Sequence, residues 1–242
     1  MPQKSDFIAL NKNINSSTQL THFLTADGSS TLKLNGLDEQ YHSVNGAIQE
    51  SSIVYIQNGL HHLKSKNISV LEVGFGTGLN CLLSFHSNLL NQIPSFIEYT
   101  ALEPFPIQNE LIEKLNYPKM LGMEVIPAIF KKMHLSKEDE KNIITPHFSL
   151  TLSKSTVQTY QGKEASYDLI YFDAFGPNIQ PEMWTIEIFR KMYALLKEDG
   201  ILVTYCAKGE VKRMLKSVGF RVENLPGPPG KREVTRAVKK LF

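Results

Sequence analysis

The stretch LEVGFGTGLN, Leu71 to Asn80, constrains this chain more than any other. An apolar run ends in three glycines on alternate positions and gives way to an apolar, helix-permissive segment. A strand that runs into glycines and then a helix turns backbone N–H groups and the helix N-terminus toward a ligand. Glycine serves there because a Cβ would block the approach, or because φ must be positive. The dinucleotide fingerprint runs G-x-G-x-x-G, whereas Gly74, Gly76 and Gly78 give G-x-G-x-G, with Leu79 at the sixth position. That departure disfavours a pyrophosphate and suits a nucleoside with a charged amino-acid tail. Glu72, just before the glycines, is placed to receive the ammonium of such a tail. Phe75, Thr77 and Asn80 complete the expected loop contribution. The bland alternative is a turn that merely joins strand to helix.

What surrounds the loop supports a ligand. Strand signals at Ser69–Val73, Phe96–Leu102, Phe148–Leu152, Tyr167–Phe172 and Ile201–Cys206 alternate with helical stretches at Leu79–Leu90, Ile107–Leu115, Glu124–Met133, Pro181–Leu196 and Glu210–Val218. Such alternation argues for a parallel, doubly wound α/β sheet. Two last strands, Arg221–Leu225 and Val234–Val238, are joined by the turn chemistry of PGPPGK and imply a closing antiparallel hairpin. Five parallel strands ending in a hairpin favour the class I S-adenosylmethionine-dependent methyltransferase architecture over a plain dinucleotide-binding one. Ahead of them, Asp27-Gly28 and Asn35-Gly36 flank the extended run Ser30–Leu34, which predicts a small N-terminal β cap over residues 1–44, with the methyltransferase domain at 45–242. The segment between, GAIQESSIVYIQNGLHHL, predicts a helix with Ile48, Val54, Tyr55 and Leu63 on one face.

Two carboxylates fall at strand ends. Glu103 closes the second strand, where it can accept hydrogen bonds from both ribose hydroxyls, with Phe105 beside it. Asp173 ends the apolar run Leu169–Phe172 and is followed by a loop stiffened by Pro177 and Pro181. Methyl transfer from a sulfonium needs a neutral nucleophile held in line, so a carboxylate that orients an amine and takes its proton is the expected catalyst. A capping role is the competing assignment for Asp173. Trp184 reads as packing.

With these blocks assembled, the chain resembles the tRNA 5-(aminomethyl)-2-thiouridine methyltransferase family, the methyltransferase half of the MnmC proteins. The resemblance runs through TADGSSTL, DEQYHSVNGAIQES, LEVGFGTGLN, LEPFP, FDAFGPNIQPEMW, GFRV and GKREV. It implies S-adenosyl-L-methionine as donor and N-methylation of the aminomethyl group of a wobble uridine in the anticodon stem-loop of tRNA. It also implies that Glu72, Gly74, Gly76, Gly78 and Glu103 surround the cofactor, that Asp173 meets the substrate amine, and that Tyr41 and His42 lie near the site. Family members carry Gly-Asp after the third strand, whereas this chain has Lys154-Ser155, so Ser155 is the remaining acceptor for the adenine. Bifunctional members continue into a flavin-dependent oxidase domain, and this chain ends at Phe242, so an enzyme without that activity is expected. Alternatives sharing the fold are a small-molecule amine methyltransferase or an aminopropyltransferase, and, in another class, a tRNA-binding module without catalysis.

Charge places the nucleic acid. The whole chain carries only +2, yet residues 208–242 hold ten basic and three acidic side chains, a local +7. Clustering of that kind supplies phosphate contacts, with Lys208, Lys231 and Arg232 as the expected substrate contacts. Ordinary solvated lysines are the competing explanation. No DNA, metal or membrane partner is expected: the histidines show no ligand spacing, and no apolar run approaches the roughly 20 residues that a bilayer needs. Cys81 and Cys206 read as buried fillers, and the polar N-terminus lacks a signal-peptide core, so a cytoplasmic enzyme is expected.

Overall fold

Strands form where the sequence is apolar on both faces, and the central ones are buried over most of their length, as a sheet covered on two sides requires. The computed structural model describes residues 20–35, 39–91 and 95–240. Its main sheet has eight strands: β4 (Asn67–Val73), β5 (Phe96–Leu102), β6 (Asn142–Thr145), β7 (Phe148–Ser153), β8 (Tyr167–Phe172), β9 (Leu196–Thr204), β10 (Phe220–Pro226) and β11 (Glu233–Lys239). The order is β10-β11-β9-β8-β4-β5-β7-β6. Strands β7, β5, β4, β8 and β9 pair parallel, while β11 and β10 close one edge antiparallel, as expected from the turn chemistry between them. Chain order reverses between β4 and β8, so their carboxyl ends open a crevice at the switch point.

Helices cover both faces: α1 (Ala47–Ser51), α2 (Leu79–Leu90), α3 (Asn109–Ile112), α4 (Tyr117–Leu121), α5 (Ile126–His134), α6 (Ile186–Leu195) and α7 (Gly209–Val218). Helix α2 spans the expected residues. Others differ for local reasons. The expected helix Ile107–Leu115 shrinks to one turn, since Gln108 stays extended after Pro104 and Pro106. The one expected from Pro181 divides into a 3-10 turn at Pro181–Met183 and α6, whose start Thr185 caps by accepting from the Ile188 N–H. The segment after α1 widens into a π-helix, Ser52–Gln57, that buries Val54, Tyr55 and Ile56 together. A short antiparallel edge strand, β6, and the helix α4 carry no strong sequence signal.

The cap is a separate three-stranded antiparallel sheet of β1 (Leu20–Leu24), β2 (Ser30–Leu34) and β3 (Glu39–Gln40). Of the expected cap, residues 1–19 and 36–38, Gly36 among them, lie outside the described residues. The β1–β2 turn is built on Asp27, which accepts from Thr25 and Ser29 and also from the Gln49 N–H at the start of α1. Asn116 binds the Ser30 N–H and the Gly28 carbonyl. These bonds seat the cap over the carboxyl ends of β4 and β5. Cys81 and Cys206 are both buried and unpaired. No described helix is long and apolar enough to cross a membrane.

Candidate active site

A cavity of about 500 Å³ opens at the carboxyl ends of β4, β5 and β8, roofed by residues 40–43 of the cap and walled by α1 and the 230s turn. Its floor is the glycine loop. Gly74 has φ +93° and Gly76 φ +52°, a region L-residues rarely adopt. A Cβ on Gly74 would stand 2.9 Å from the Asp173 carbonyl oxygen, and one on Gly76 would stand 3.1 Å from the Tyr41 ring. Glycine here lets the β4 and β8 ends touch and lets the cap close onto the loop.

Glu103 braces that loop. Its Oε2 accepts from the Gly76 N–H at 2.8 Å and its Oε1 from the Phe105 N–H at 2.9 Å, and burial nevertheless lifts its carboxyl to about 7. Tyr41 lies across the loop and meets Phe175 edge-on, with ring centroids 5.2 Å apart. Behind it, His42 is a strut between cap and loop. Its Nδ1 is 3.1 Å from the Thr31 hydroxyl and its Nε2 3.5 Å from that of Thr77, which also accepts from Tyr117. Burial pushes the His42 imidazole down to about 4, so it is neutral at physiological pH.

Asp173 sits at the end of β8 with both oxygens held. Oδ1 accepts from the Tyr55 hydroxyl at 2.5 Å and Oδ2 from the Asn80 amide at 2.7 Å. Burial outweighs both bonds and raises the carboxyl to about 7. Around it stand Glu39, Glu50, Glu103 and Glu182, so among the described residues five carboxylates line this cavity against one cation, Lys231. A chamber of that sign suits a cationic ligand. Among the described residues no group of three or more His, Cys, Asp or Glu side chains is placed to hold a metal ion.

Several expected residues stand elsewhere. Glu72 does not reach the cavity: it is wholly buried beneath the loop, with Oε1 accepting from Asn80 at 3.0 Å, and burial beside Asp173 raises its carboxyl well above the usual range. It is therefore not positioned as the ammonium acceptor that its sequence position suggests. Gly78 turns the chain into α2 but does not line the cavity. Ser155 is also outside the lining, which at that wall is Thr156, Val157 and Gln158, while Lys154 turns outward to Glu138 at 2.7 Å. Lys231 points inward rather than to solvent. Its ammonium is 2.5 Å from Glu50 and 4.1 Å from the centre of the Tyr205 ring. Lys208, bonded to Asn178 at 2.7 Å, and the exposed Arg232 line a second cavity of about 490 Å³ next to the first. Trp184 is packing: buried against Phe172, it donates to the Phe175 carbonyl.

Tyr55, Glu50 and Tyr205 carry no sequence signal as site residues. Tyr55 is hidden in a run that reads as helix core, and Glu50 in a block with no charge partner nearby in sequence.

Comparison with known proteins gives one family model, described as S-adenosyl-L-methionine-dependent methyltransferase, which matches residues 123–240. The bifunctional protein MnmC for tRNA 5-methylaminomethyl-2-thiouridine biosynthesis is 30% identical over 215 residues in Cupriavidus metallidurans and 28% over 213 in Cupriavidus necator. Each alignment covers 83% of this chain but only 31% and 32% of the relative, so the chain spans about a third of those proteins. Among solved structures, MnmC2 from Aquifex aeolicus superposes with TM-score 0.70 at 23% identity, over 100% of this chain and 81% of that one. Spermidine synthase from Thermotoga maritima gives TM-score 0.54 at 14% identity, over 91% and 68%. With the class I fold, the glycine loop and the strand-end carboxylates in place, the chain shares its fold with MnmC2, is similar over most of its length to about a third of the bifunctional MnmC proteins, and matches the S-adenosyl-L-methionine-dependent methyltransferase model over residues 123–240.

Proposed function

We propose that this protein N-methylates the 5-aminomethyl group of 5-aminomethyl-2-thiouridine at the wobble position of tRNA, working in the cytoplasm on the anticodon stem-loop. The observation that carries the reading is Asp173, a carboxylate near neutrality at the floor of an acidic cavity and in contact with the glycine loop.

The cofactor fits this chain. Gly74 and Gly76 line the cavity in a backbone conformation that L-residues rarely adopt, Glu103 lies at the β5 tip with its carboxylate in the same cavity, and the volume is that of a nucleoside-sized ligand site. Gly74, Phe75, Gly76 and Thr77 would hold it against Glu103, and residues 156–158 stand where Ser155 was expected. When bound, S-adenosylmethionine supplies a methyl group activated on a sulfonium.

The chain's own task is to present a neutral amine. An aminomethyl group arrives as an ammonium and must lose a proton before its nitrogen lone pair can attack. Asp173 receives that proton at whichever oxygen faces the cavity, while the cap and Tyr41 exclude water. That neutral nitrogen would then take the methyl group supplied by bound S-adenosylmethionine, the C–S electron pair leaving on sulfur. Outside the cavity, Lys208, Arg213, Lys216 and Arg232 are left for the RNA backbone. In this scheme the described part of residues 1–44 caps the site and the described part of 45–242 is the catalytic unit.

The acidity of the cavity favours one second reading, an amine methyltransferase or aminopropyltransferase acting on a small polyamine. The test incubates the protein and methyl-labelled S-adenosylmethionine with tRNA lacking wobble methylation, or with polyamines. Label in 5-methylaminomethyl-2-thiouridine supports the proposal. Label only in polyamine, or none in either with cofactor bound, refutes it.

A further inference from the structure

Glu72 is the one carboxyl group of the site with no evident use. It is 0% exposed, in the middle of the sheet, beside the buried Tyr99 hydroxyl, and its Oε1 accepts from the Asn80 amide. That amide is itself 3% exposed and uses one nitrogen twice: it donates to Glu72 Oε1 at 3.0 Å and to Asp173 Oδ2 at 2.7 Å. An amide NH₂ has two hydrogens, and both are thereby committed. Its orientation is fixed from below by the buried carboxyl and from above by the catalytic one. Tyr55, 2% exposed and delivered by the π-helical turn, takes the other oxygen of Asp173. Each oxygen of Asp173 thus carries one protein donor, and the remaining lone pairs are left for the substrate.

We propose that Tyr55, Asn80 and Glu72 are the positioning residues of Asp173, a frame that fixes the plane of its carboxylate, so that Asn80 and Glu72 serve the acceptor side of the reaction and not the cofactor. The inference deepens the function proposed above and rests on Asp173 being the base. Tyr55 arrives from the π-helix, Asn80 from the first turn of α2 and Glu72 from β4. Other titratable and charged groups facing Asp173 are Glu50 from α1, Tyr205 after β9 and Lys231 from the β10–β11 turn. The frame also explains the polar Asn80 at a helix start, where the preceding residues provide no side-chain cap.

The frame is tested on the whole chain by two variants and two readouts. Aspartate carboxyl carbons are isotope-labelled and titrated by NMR, with Asp173→Asn used to assign the resonance. Cofactor affinity and methyl transfer to tRNA are measured alongside. Tyr55→Phe keeps the ring and removes one charge-assisted bond, so the Asp173 midpoint should rise by about one pH unit, and turnover at pH 7 should fall about fivefold. Its cofactor dissociation constant should stay within about twofold. Glu72→Met removes the acceptor beneath Asn80, so turnover should fall about tenfold while cofactor affinity stays within about twofold of the parent. An unmoved midpoint in Tyr55→Phe overturns the frame, and unchanged turnover in Glu72→Met removes Glu72 from it. A cofactor affinity weakened about tenfold in Glu72→Met would put Glu72 back on the cofactor tail and likewise overturns the frame. If the parent protein methylates no tRNA but the midpoint shifts as stated, the frame stands and the substrate assignment falls.

Discussion

S-adenosylmethionine should bind more tightly as pH rises through neutrality, and Glu103 is the reason. Its two oxygens already take backbone N–H groups from Gly76 and Phe105, yet burial holds its carboxyl near 7 instead of the usual range. Ribose hydroxyls donate, so they favour the ionised form, and the protein must lose a proton from Glu103 to bind. For a group at about 7, the affinity penalty is roughly twofold at pH 7 and about elevenfold at pH 6, and it all but vanishes at pH 8. Calorimetric titration should therefore show a dissociation constant about tenfold weaker at pH 6 than at pH 8, with close to one proton released per ligand at the lower pH. Glu103→Gln removes charge-assisted bonds worth roughly 1.5–3 kcal/mol, so affinity should drop about 10- to 150-fold and the pH slope should disappear. Asp173 titrates in the same range, so the control is Asp173→Asn, which should keep the slope. A dissociation constant equal at pH 6 and 8, or a slope that survives Glu103→Gln but not Asp173→Asn, would refute the ribose role.

Asp173→Asn should lower turnover by about 10²- to 10⁴-fold with cofactor affinity within a few-fold, and the parent kcat/KM should rise with pH to a plateau above about 7; a flat profile would count against a carboxylate base. Gly76→Ala should destabilise the fold by about 1–2 kcal/mol, from its left-handed backbone and the nearby Tyr41 ring, as read by denaturant midpoints. Arg232→Glu should raise the tRNA KM and reduce the slope of log KM against log salt by about one, whereas Lys231→Met, inside the cavity, should change kcat and leave the slope alone. His42 and His134, both pushed down to about 4 by burial, contribute stability that is complete above about 6.5 and is lost as pH falls toward 4. Asp173 and Glu103, both raised, contribute in the opposite sense: their stabilisation is full below about 4 and fades as pH rises through about 7. The two sets offset each other, so the double variant Asp173→Asn/Glu103→Gln should uncover a loss of thermal stability on acidification from pH 6.5 that the parent lacks.

How far the sequence reaches depends on whether a residue's neighbours lie close along the chain. The strand–glycine–helix unit is local, so helix α2 and the positions of Gly74 and Gly76 are legible in the residues alone. Glu103 and Asp173 are legible because both follow apolar runs, and strand ends in an open α/β sheet gather at one edge. Glu72 marks the limit. Alternation tells which face a side chain takes only when one face is wet, and β4 is buried on both faces over residues 70–73. Nothing in the pattern fixes the direction of Glu72, and it points under the loop. Tyr55 depends on a π-turn that no residue pattern announces, and Lys231 depends on Glu50, 181 positions earlier, whose carboxylate draws it out of the basic cluster.

That inward turn of Lys231 changes the meaning of the basic C-terminal segment. Lys212 is spent on Glu233, Arg221 and Arg236 on Glu223, Lys240 on Asp199, and Lys239 on the Tyr193 and Leu196 carbonyls. Most of the local +7 therefore holds the β10–β11 hairpin against β9 and its neighbours, and is no free field for RNA. What stays exposed and without an ion pair among the described residues, Arg213, Lys216 and Arg232, lies on α7 and the hairpin turn, outside the acidic cavity, with the exposed Lys208 beside them at the start of α7. Opposite signs at such short range sort a substrate that itself carries both: phosphates are held off the cavity, and a lone ammonium is drawn into it. A free polyamine would feel the interior alone. The salt response of the KM therefore separates the two acceptors in a single series, steep and carried by Arg232 for RNA, and insensitive to Arg232 for a small amine.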